Sequence, residues 1–373
     1  MTGIGYGRTM KRAARMLPLA AAVLLGACAL PPQIEPGAAT APAPAPAAIP
    51  PQAQQPAQPP ASPADIQRLQ DLVSQQDRLY RVAAPLLINN SELCRSHARA
   101  LLGFRAKNRF SYSAELSSAA HHLLGLDERL RVTGVIPNSG AARAGIQVGD
   151  VLLAVEGKAF PEGEQAESQA ATLLAPLVAE KKVLKLTVLR AQDQLALDVP
   201  LTPACAFNIE VGNTDLVNAY GDGFRVLLTR GMLNTLRNDD EVAYVLAREM
   251  AHNVLGHAAR MNQQAAVGGI IDNLARLQPD MSTMTGMAGL RPVSPDFDSA
   301  ADRLAIYLLA RAGYNIERAA PFWRRFTAQH PVSAQNAYSA LHPAIERRIG
   351  GIEQAVRDIR NRRANGRPLI PAP

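Results

Sequence analysis

The chain is 373 residues long and 47% hydrophobic, with 39 basic against 32 acidic residues, enough apolar material to bury cores for two or three domains. Four of the basic residues, Arg8, Lys11, Arg12 and Arg15, precede any acidic one. The remainder is close to charge balance and has no Lys/Arg cluster interleaved with aromatics, which excludes a nucleic-acid footprint and removes nucleic acid from the expected partners.

Those four cations form a basic n-region, Met16 to Leu24 an apolar h-region, and Leu25-Gly26-Ala27-Cys28 follows. The order resembles a bacterial lipoprotein signal ending in a lipobox, and the apolar run is too short to span a bilayer as a mature helix. The resemblance implies a signal over residues 1–27, lipidation of Cys28 and a durable membrane anchor. It places the protein in the bacterial cell envelope. Ala29 stands where an Asp would suggest inner-membrane retention, which points to the outer membrane, facing the periplasm. An ordinary secretory signal is the alternative.

Residues 28–63 read as a tether. From Pro31 to Pro63 there are twelve prolines and one charged residue, Glu35; such a segment cannot pack a core and extends to roughly 100 Å at about 3.1 Å per residue. Residues 64–119 read as a helical N-terminal region. Ile66, Leu69, Leu72, Val73 and Leu79 fall at helical spacing to about Val82, with Pro85 and Asn89-Asn90 ending or bending the helix. A second, short helix is expected from Ser113 to Leu124. Cys94 and Cys205 are an even pair in an oxidising compartment, so a disulfide is expected, constraining a loop of about 110 residues by roughly 4–5 kcal/mol. Two separate buried thiols are the other possibility.

Over residues 120–204 the pattern changes to short β runs punctuated by glycine. Leu130 to Val135 is a strand candidate, followed by Pro137-Asn138-Ser139-Gly140-Ala141-Ala142-Arg143-Ala144-Gly145-Ile146 and by Gly149-Asp150-Val151-Leu152-Leu153-Ala154-Val155-Glu156-Gly157. A helix from Gln165 to Ala179 and a hairpin from Val183 to Leu201, turning at Ala191 to Gln194, complete the module. These strings resemble a bacterial PDZ domain. The resemblance implies binding of extended polypeptides, often their C-termini, by strand addition. The groove is expected between a strand near Leu124 to Leu130 and the helix at 165–179.

Residues 207–361 read as mainly helical, with a tail over 362–373. A β-hairpin with a Gly-rich turn is expected from Asn218 to Gly231. Asn238-Asp239-Asp240-Glu241 starts a helix with acidic residues at its positive end, and further helices are expected at about 295–312, 316–329 and 343–360. Within the first of these helices stands Arg248-Glu249-Met250-Ala251-His252, one substitution short of the His-Glu-x-x-His pattern that holds zinc and a general base on one helical face. Arg248 occupies the first imidazole's place, and a guanidinium has no lone pair to offer a cation.

Asn218-Ala219, Thr229-Arg230-Gly231, the degenerate helix, His257, the 298–302 helix and His342-Pro343 together resemble metallopeptidase family forty-eight, the gluzincins that include HtpX-like and CAAX-prenyl endopeptidases. The fold class is therefore α+β and multidomain: a PDZ-like β-sandwich or barrel module plus a mainly helical zincin-type peptidase domain with a small β-hairpin. The resemblance implies a zinc cofactor, with His252 and Asp298 as metal ligands, Glu249 activating water and His342 serving the cleft. Asp302 and His257 are implied as supporting groups, His257 lying about 140° from His252 if one helix carries both. Asp298 stands where the family has a Glu, a second departure beside Arg248.

Two readings follow. In the first, the chain is an envelope metalloendopeptidase acting on misfolded or misassembled proteins with zinc-activated water. In the second, Arg248 is a built-in counter-ion for Glu249 and Asp298, and the protein is a catalytically inactive, peptide-binding chaperone or adaptor. Both take envelope polypeptides as partners. The Gly- and Met-rich stretch from Gln263 to Val293 is a candidate lid over the cleft.

Overall fold

The computed structural model describes residues 60–274, 276, 280, 290–333, 336–343 and 345–372. The signal, Cys28 and nearly all of the tether lie outside the described residues, as do 275, 277–279 and 281–289 of the stretch expected to be a lid. Among the described residues no helix is long and apolar enough to cross a membrane.

Helix α1 (Pro63–Ile88) begins where the Ser62 side chain accepts from Asp65 N, with Pro63 at the first helical position. It runs through Pro85 and stops at Asn89. The expected end or bend at Pro85 gives way to burial, since Val82, Ala83, Leu86 and Leu87 all pack into the large core of the C-terminal body. Asn90 fixes the helix end by donating to Leu86 O at 2.9 Å and to Leu308 O at 3.0 Å. The N-terminal helix is thus part of the peptidase-like body and not a separate region.

The middle module comprises β1 (Ala98–Leu101), β2 (Phe104–Lys107), α2 (Ala114–Leu124), β3 (Arg131–Val135), α3 (Gly140–Arg143), β4 (Val151–Val155), β5 (Lys158–Ala159), α4 (Ala166–Glu180), β6 (Val183–Arg190), β7 (Asp193–Pro200) and β8 (Thr202–Cys205). An antiparallel sheet in the order β2-β3-β4-β6-β7, with β5 on β4, forms its centre. Alternation sets the faces: Leu184, Leu186 and Val188 of β6 point inward with Val132, Leu152, Val155 and Val199.

Two expectations change here. The sheet takes in β2, so a boundary at residue 120 cuts through the module. The groove also moves: residues 125–130 contain no strand beyond an isolated bridge at Arg129, and the edge strand is β2. Four residues without clean alternation, separated from β3 by a helix, leave no strand signature in the sequence.

Residues Cys94 and Cys205 are joined by a disulfide with Cα atoms 5.5 Å apart, beside the β1–β8 pair in which Ala98 faces Cys205. It closes the two chain passages between the middle module and the body.

The C-terminal body contains β9 (Asn208–Gly212), β10 (Ala219–Gly221), β11 (Arg225–Thr229), α5 (Arg230–Thr235), α6 (Asp239–Val254), α7 (His257–Arg260), α8 (Gln264–Leu274), α9 (Pro295–Ala312), α10 (Ala319–Gln329), α11 (Tyr338–Leu341) and α12 (Ile345–Ala364). The hairpin is present as β10–β11, and β9 adds to it in parallel, giving the order β10-β11-β9. Helix α6 is buried along its whole length from Glu241 to Val254, as expected of a central helix. It packs against α9, with α1, α10 and α12 around the pair. Helix α12 continues to Ala364, and Leu369 packs back on the core, so the segment after residue 361 is not a free tail.

Candidate active site

Helix α6 is started by the Asn238 side chain, which accepts from Glu241 N at 3.1 Å, and by acidic residues in its first turn. Helix α9 is started by Ser294, whose hydroxyl accepts from Phe297 N, with Pro295 at the first position. Asp298 and Asp302, one turn apart on α9, face Arg248, Glu249 and His252 on α6. The β10 strand reaches this helix because residue 221 is glycine: a Cβ there would lie 2.6 Å from Asn253 Oδ1 and 3.0 Å from Glu249 O.

Arg248 is the centre of the site and is fully buried. Its Nε donates to Asp302 Oδ1 at 2.9 Å, and Nη2 to Asp298 Oδ1 at 2.5 Å. Nη1 donates to Tyr338 Oη at 2.9 Å and to Glu249 Oε1 at 3.2 Å. A second buried guanidinium, Arg348 on α12, donates to Asp302 Oδ2 at 2.7 Å and lies 4.6 Å from the centre of the Trp323 ring. Two guanidiniums thus face two aspartates. Burial pushes Glu249 up to about 7 against the pull of Arg248, so the cluster approaches neutrality from its own side chains.

His342 Nδ1 lies 2.8 Å from Asp298 Oδ1 and 3.0 Å from Arg248 Nη2. It serves one of them at a time: protonated it donates to Asp298, deprotonated it accepts from Arg248. Burial and Arg248 push His342 down to about 4. Burial would raise Asp298, yet Arg248 and His342 hold its carboxyl well below the usual carboxylate range.

His257 departs from expectation. Helix α6 ends at Val254, Gly256 turns the chain at φ 67°, and His257 opens the next short helix. The reversal brings His257 Nδ1 to 2.9 Å from His252 Nδ1 and stacks its ring on Phe297, a contact that a continuous helix forbids. Burial and Arg248 keep His252 neutral, and this hydrogen bond fixes its ring with Nε2 turned toward Asp298 Oδ1, 3.6 Å away.

Every residue singled out on α6, α7 and α9, together with His342, is therefore in one buried cluster. The sequence reading missed Tyr338, Trp323 and Arg348. Tyr338 stands four residues before His342, a spacing that could have flagged it, whereas nothing local marks Arg348 as a partner of Asp302. The cleft beside Glu249, His252, His257 and His342 has a volume of about 40 Å³, room for water and far less than a ligand pocket. Helix α8 covers it, packing Val267, Ile270, Ile271 and Leu274 on Tyr220, Leu227 and Leu341.

Residues 179–356 match the profile of peptidase family M48, and residues 131–190 match that of the PDZ domain. The chain carries an M48 peptidase domain and a PDZ domain. Among curated proteins it is similar to the beta-barrel assembly-enhancing protease of Escherichia coli K12, 29% identical over 181 residues, covering 44% of this chain and 36% of that protein. It is also similar to the mitochondrial metalloendopeptidase OMA1 of Arabidopsis thaliana, 30% identical over 162 residues, covering 40% of this chain and 32% of that one. The fission-yeast OMA1 is 28% identical over 138 residues, covering 35% and 41%. The chain spans about a third of the length of these relatives. Among solved structures, the HtrA3 PDZ domain bound to a phage-derived ligand covers 29% of this chain and 88% of its own, at 24% identity and a TM-score of 0.21.

Peptidase family M48 is a family of zinc metallopeptidases, and the M48 domain here can be tested for fit. His252, Asp298 and His342 place one ligand atom each within 4.8 Å of one another, and His252 Nε2 and Asp298 Oδ2 are buried without a partner. By residue type and spacing the three could hold a divalent cation. As placed they do not fit zinc, because Arg248 Nη2 already lies against Asp298 Oδ1 and His342 Nδ1. A guanidinium that stays charged at every working pH repels a dication at that distance.

Proposed function

We propose that this protein is a lipid-anchored envelope protein whose M48 domain is closed around Arg248 without zinc, and that it works by binding unfolded envelope polypeptides through its PDZ groove. The observation that carries the reading is Arg248 itself, fully buried and donating to Asp298, Asp302, Glu249 and Tyr338. A cleft of only about 40 Å³ agrees with it. The Glu249 carboxylate, which would have to be free to deprotonate a water, is occupied by Arg248 and Tyr338.

For the polypeptide class, the E. coli relative's name, beta-barrel assembly-enhancing protease, supports envelope proteins in the course of assembly. The lipobox ending in Cys28 supports the anchor, tested by fatty-acid labelling that a Cys28→Ser variant should lose.

The second reading is a zinc metalloendopeptidase in which Arg248 swings away and His252, Asp298 and His342 hold the ion beside Glu249. The unpartnered His252 Nε2 and Asp298 Oδ2 favour it. Zinc content and cleavage of an unfolded protein separate the two. Wild type should carry less than stoichiometric zinc and leave the substrate intact, with zinc binding gained in Arg248→His. Stoichiometric zinc together with cleavage abolished by Glu249→Gln would overturn the metal-free reading.

A further inference from the structure

The groove beside β2 has a second wall that the PDZ module does not supply. One chamber of about 760 Å³ is lined by Leu101, Leu102, Phe104, Val135, Ile136 and Val178, with Val148 at 66% exposure on its rim. A second chamber of about 700 Å³ lies further along β2, past Lys107 and Ser111. Tyr80, Phe104, Arg105, Ala171 and Asn208 line both, so the two chambers form one continuous groove. Ala171 belongs to α4 of the PDZ module, whereas Tyr80 and Asn208 belong to α1 and β9 of the M48 body.

Of the strands lining this groove, β2 is shared by both chambers, through Phe104 and Arg105. It ends its sheet and lines the groove along its whole length, the setting that strand addition needs. The facing strand β9 also ends its sheet, but α1 seals it. Gln76 Nε2 donates to Ile209 O at 3.0 Å, and Val211 N donates to Gln76 Oε1 at 3.0 Å. A side-chain amide thereby takes the two positions that an added strand would use.

Charge in the groove is largely self-paired. Arg105 meets Asp77 at 2.5 Å while lying over the Tyr80 ring, and Lys107 meets Glu167 at 3.2 Å. Neither a polyanion nor a lipid headgroup finds an uncompensated cationic patch there. Besides Glu210 and Arg276 in the second chamber, what remains is mainly apolar surface along an edge strand, which fits an extended chain with apolar side chains.

We propose that the ligand groove is composite: an unfolded, extended, apolar polypeptide segment adds to β2 and is gripped from the opposite side by α1 and the start of β9. This rests on the polypeptide-binding reading above and makes the M48 body part of the recognition surface. The Arg105–Asp77 contact at the waist of the groove is the one the entering chain displaces.

The test uses the full chain and a fluorescein-labelled extended peptide rich in Val and Leu, with affinity read by anisotropy. Ala171→Arg on α4 and Asn208→Arg on β9 change exposed residues on opposite walls, and each should weaken binding by about tenfold or more. If Ala171→Arg weakens binding and Asn208→Arg does not, the composite wall is wrong and the PDZ reading stands. If Asn208→Arg alone weakens it, or neither does, polypeptide binding by the PDZ groove fails with it. A melting curve matching wild type for each variant excludes misfolding as the cause of a loss.

Discussion

Arg248 Nη2 lies 2.5 Å from Asp298 Oδ1, with neither side chain exposed to solvent. A lone charge in such a place is prohibitively costly, and a pair is tolerated only when the remaining donors and acceptors are also met. Here they are largely met, through Asp302, Glu249, Tyr338 and Arg348. The arginine therefore does for this helix pair what a dication does for a set of carboxylate and imidazole ligands.

Removing Arg248 should cost much of the fold. In Arg248→Met the shape is roughly kept but Asp298 and Asp302 lose their shared donor. The expected loss is about 3–5 kcal/mol, the usual result of breaking a buried ion pair from one side. Urea unfolding measures it. A loss below about 1 kcal/mol, the size of an average substitution, would mean that Arg248 does not hold α6 and α9 together.

Gly221 and Gly269 should respond in opposite directions to alanine. At Gly221 a Cβ would meet the Glu249 carbonyl at 3.0 Å and Asn253 Oδ1 at 2.6 Å, and moving them means shifting α6. Gly221→Ala should destabilise by about 1–3 kcal/mol. Gly269, inside α8 with nothing within 4 Å of an added Cβ, should gain about 0.5–1 kcal/mol as alanine. Thermal melts of the two variants check both signs, and a gain at Gly221 would contradict the close approach of β10 to α6.

Acid should weaken the fold through His257. Burial and Arg260 push the His257 imidazole down to about 4, from its ordinary value of 6.5. Between those values the unfolded chain binds the proton and the folded one does not, so this contribution is intact above the higher value and declines as pH falls toward the lower. The slope is about 1.4 kcal/mol per pH unit while the difference lasts. Glu249, raised to about 7, acts in the opposite sense over part of the range. The informative quantity is thus the difference between wild type and His257→Gln, measured in chelator-treated protein. The wild type should lose stability relative to the variant from pH 6.5 to 4.5, and a constant difference would refute the assignment.

The linear chain already carries the parts. The β-run and glycine pattern of 130–201 and the helical periods at 295–312 and 316–329 report local geometry, which nearest neighbours in sequence largely control. Arg248 in an imidazole's place was equally plain, because Arg-Glu-x-x-His is a matter of residue type and spacing. What only the tertiary structure decided lies in contacts between distant segments. No periodicity announces that Arg348 completes Asp302, that Tyr338 joins Arg248 to Glu249, or that Gly256 turns His257 back onto His252. Likewise β2 is a strand only because β3 pairs with it, and α1 passes through Pro85 only because the core receives its far end. Local pattern fixes which helices and strands are possible. Whether a buried guanidinium or a metal ion neutralises the carboxylates depends on packing energies summed over four helices, and the arrangement reached sets Arg248 against Asp298.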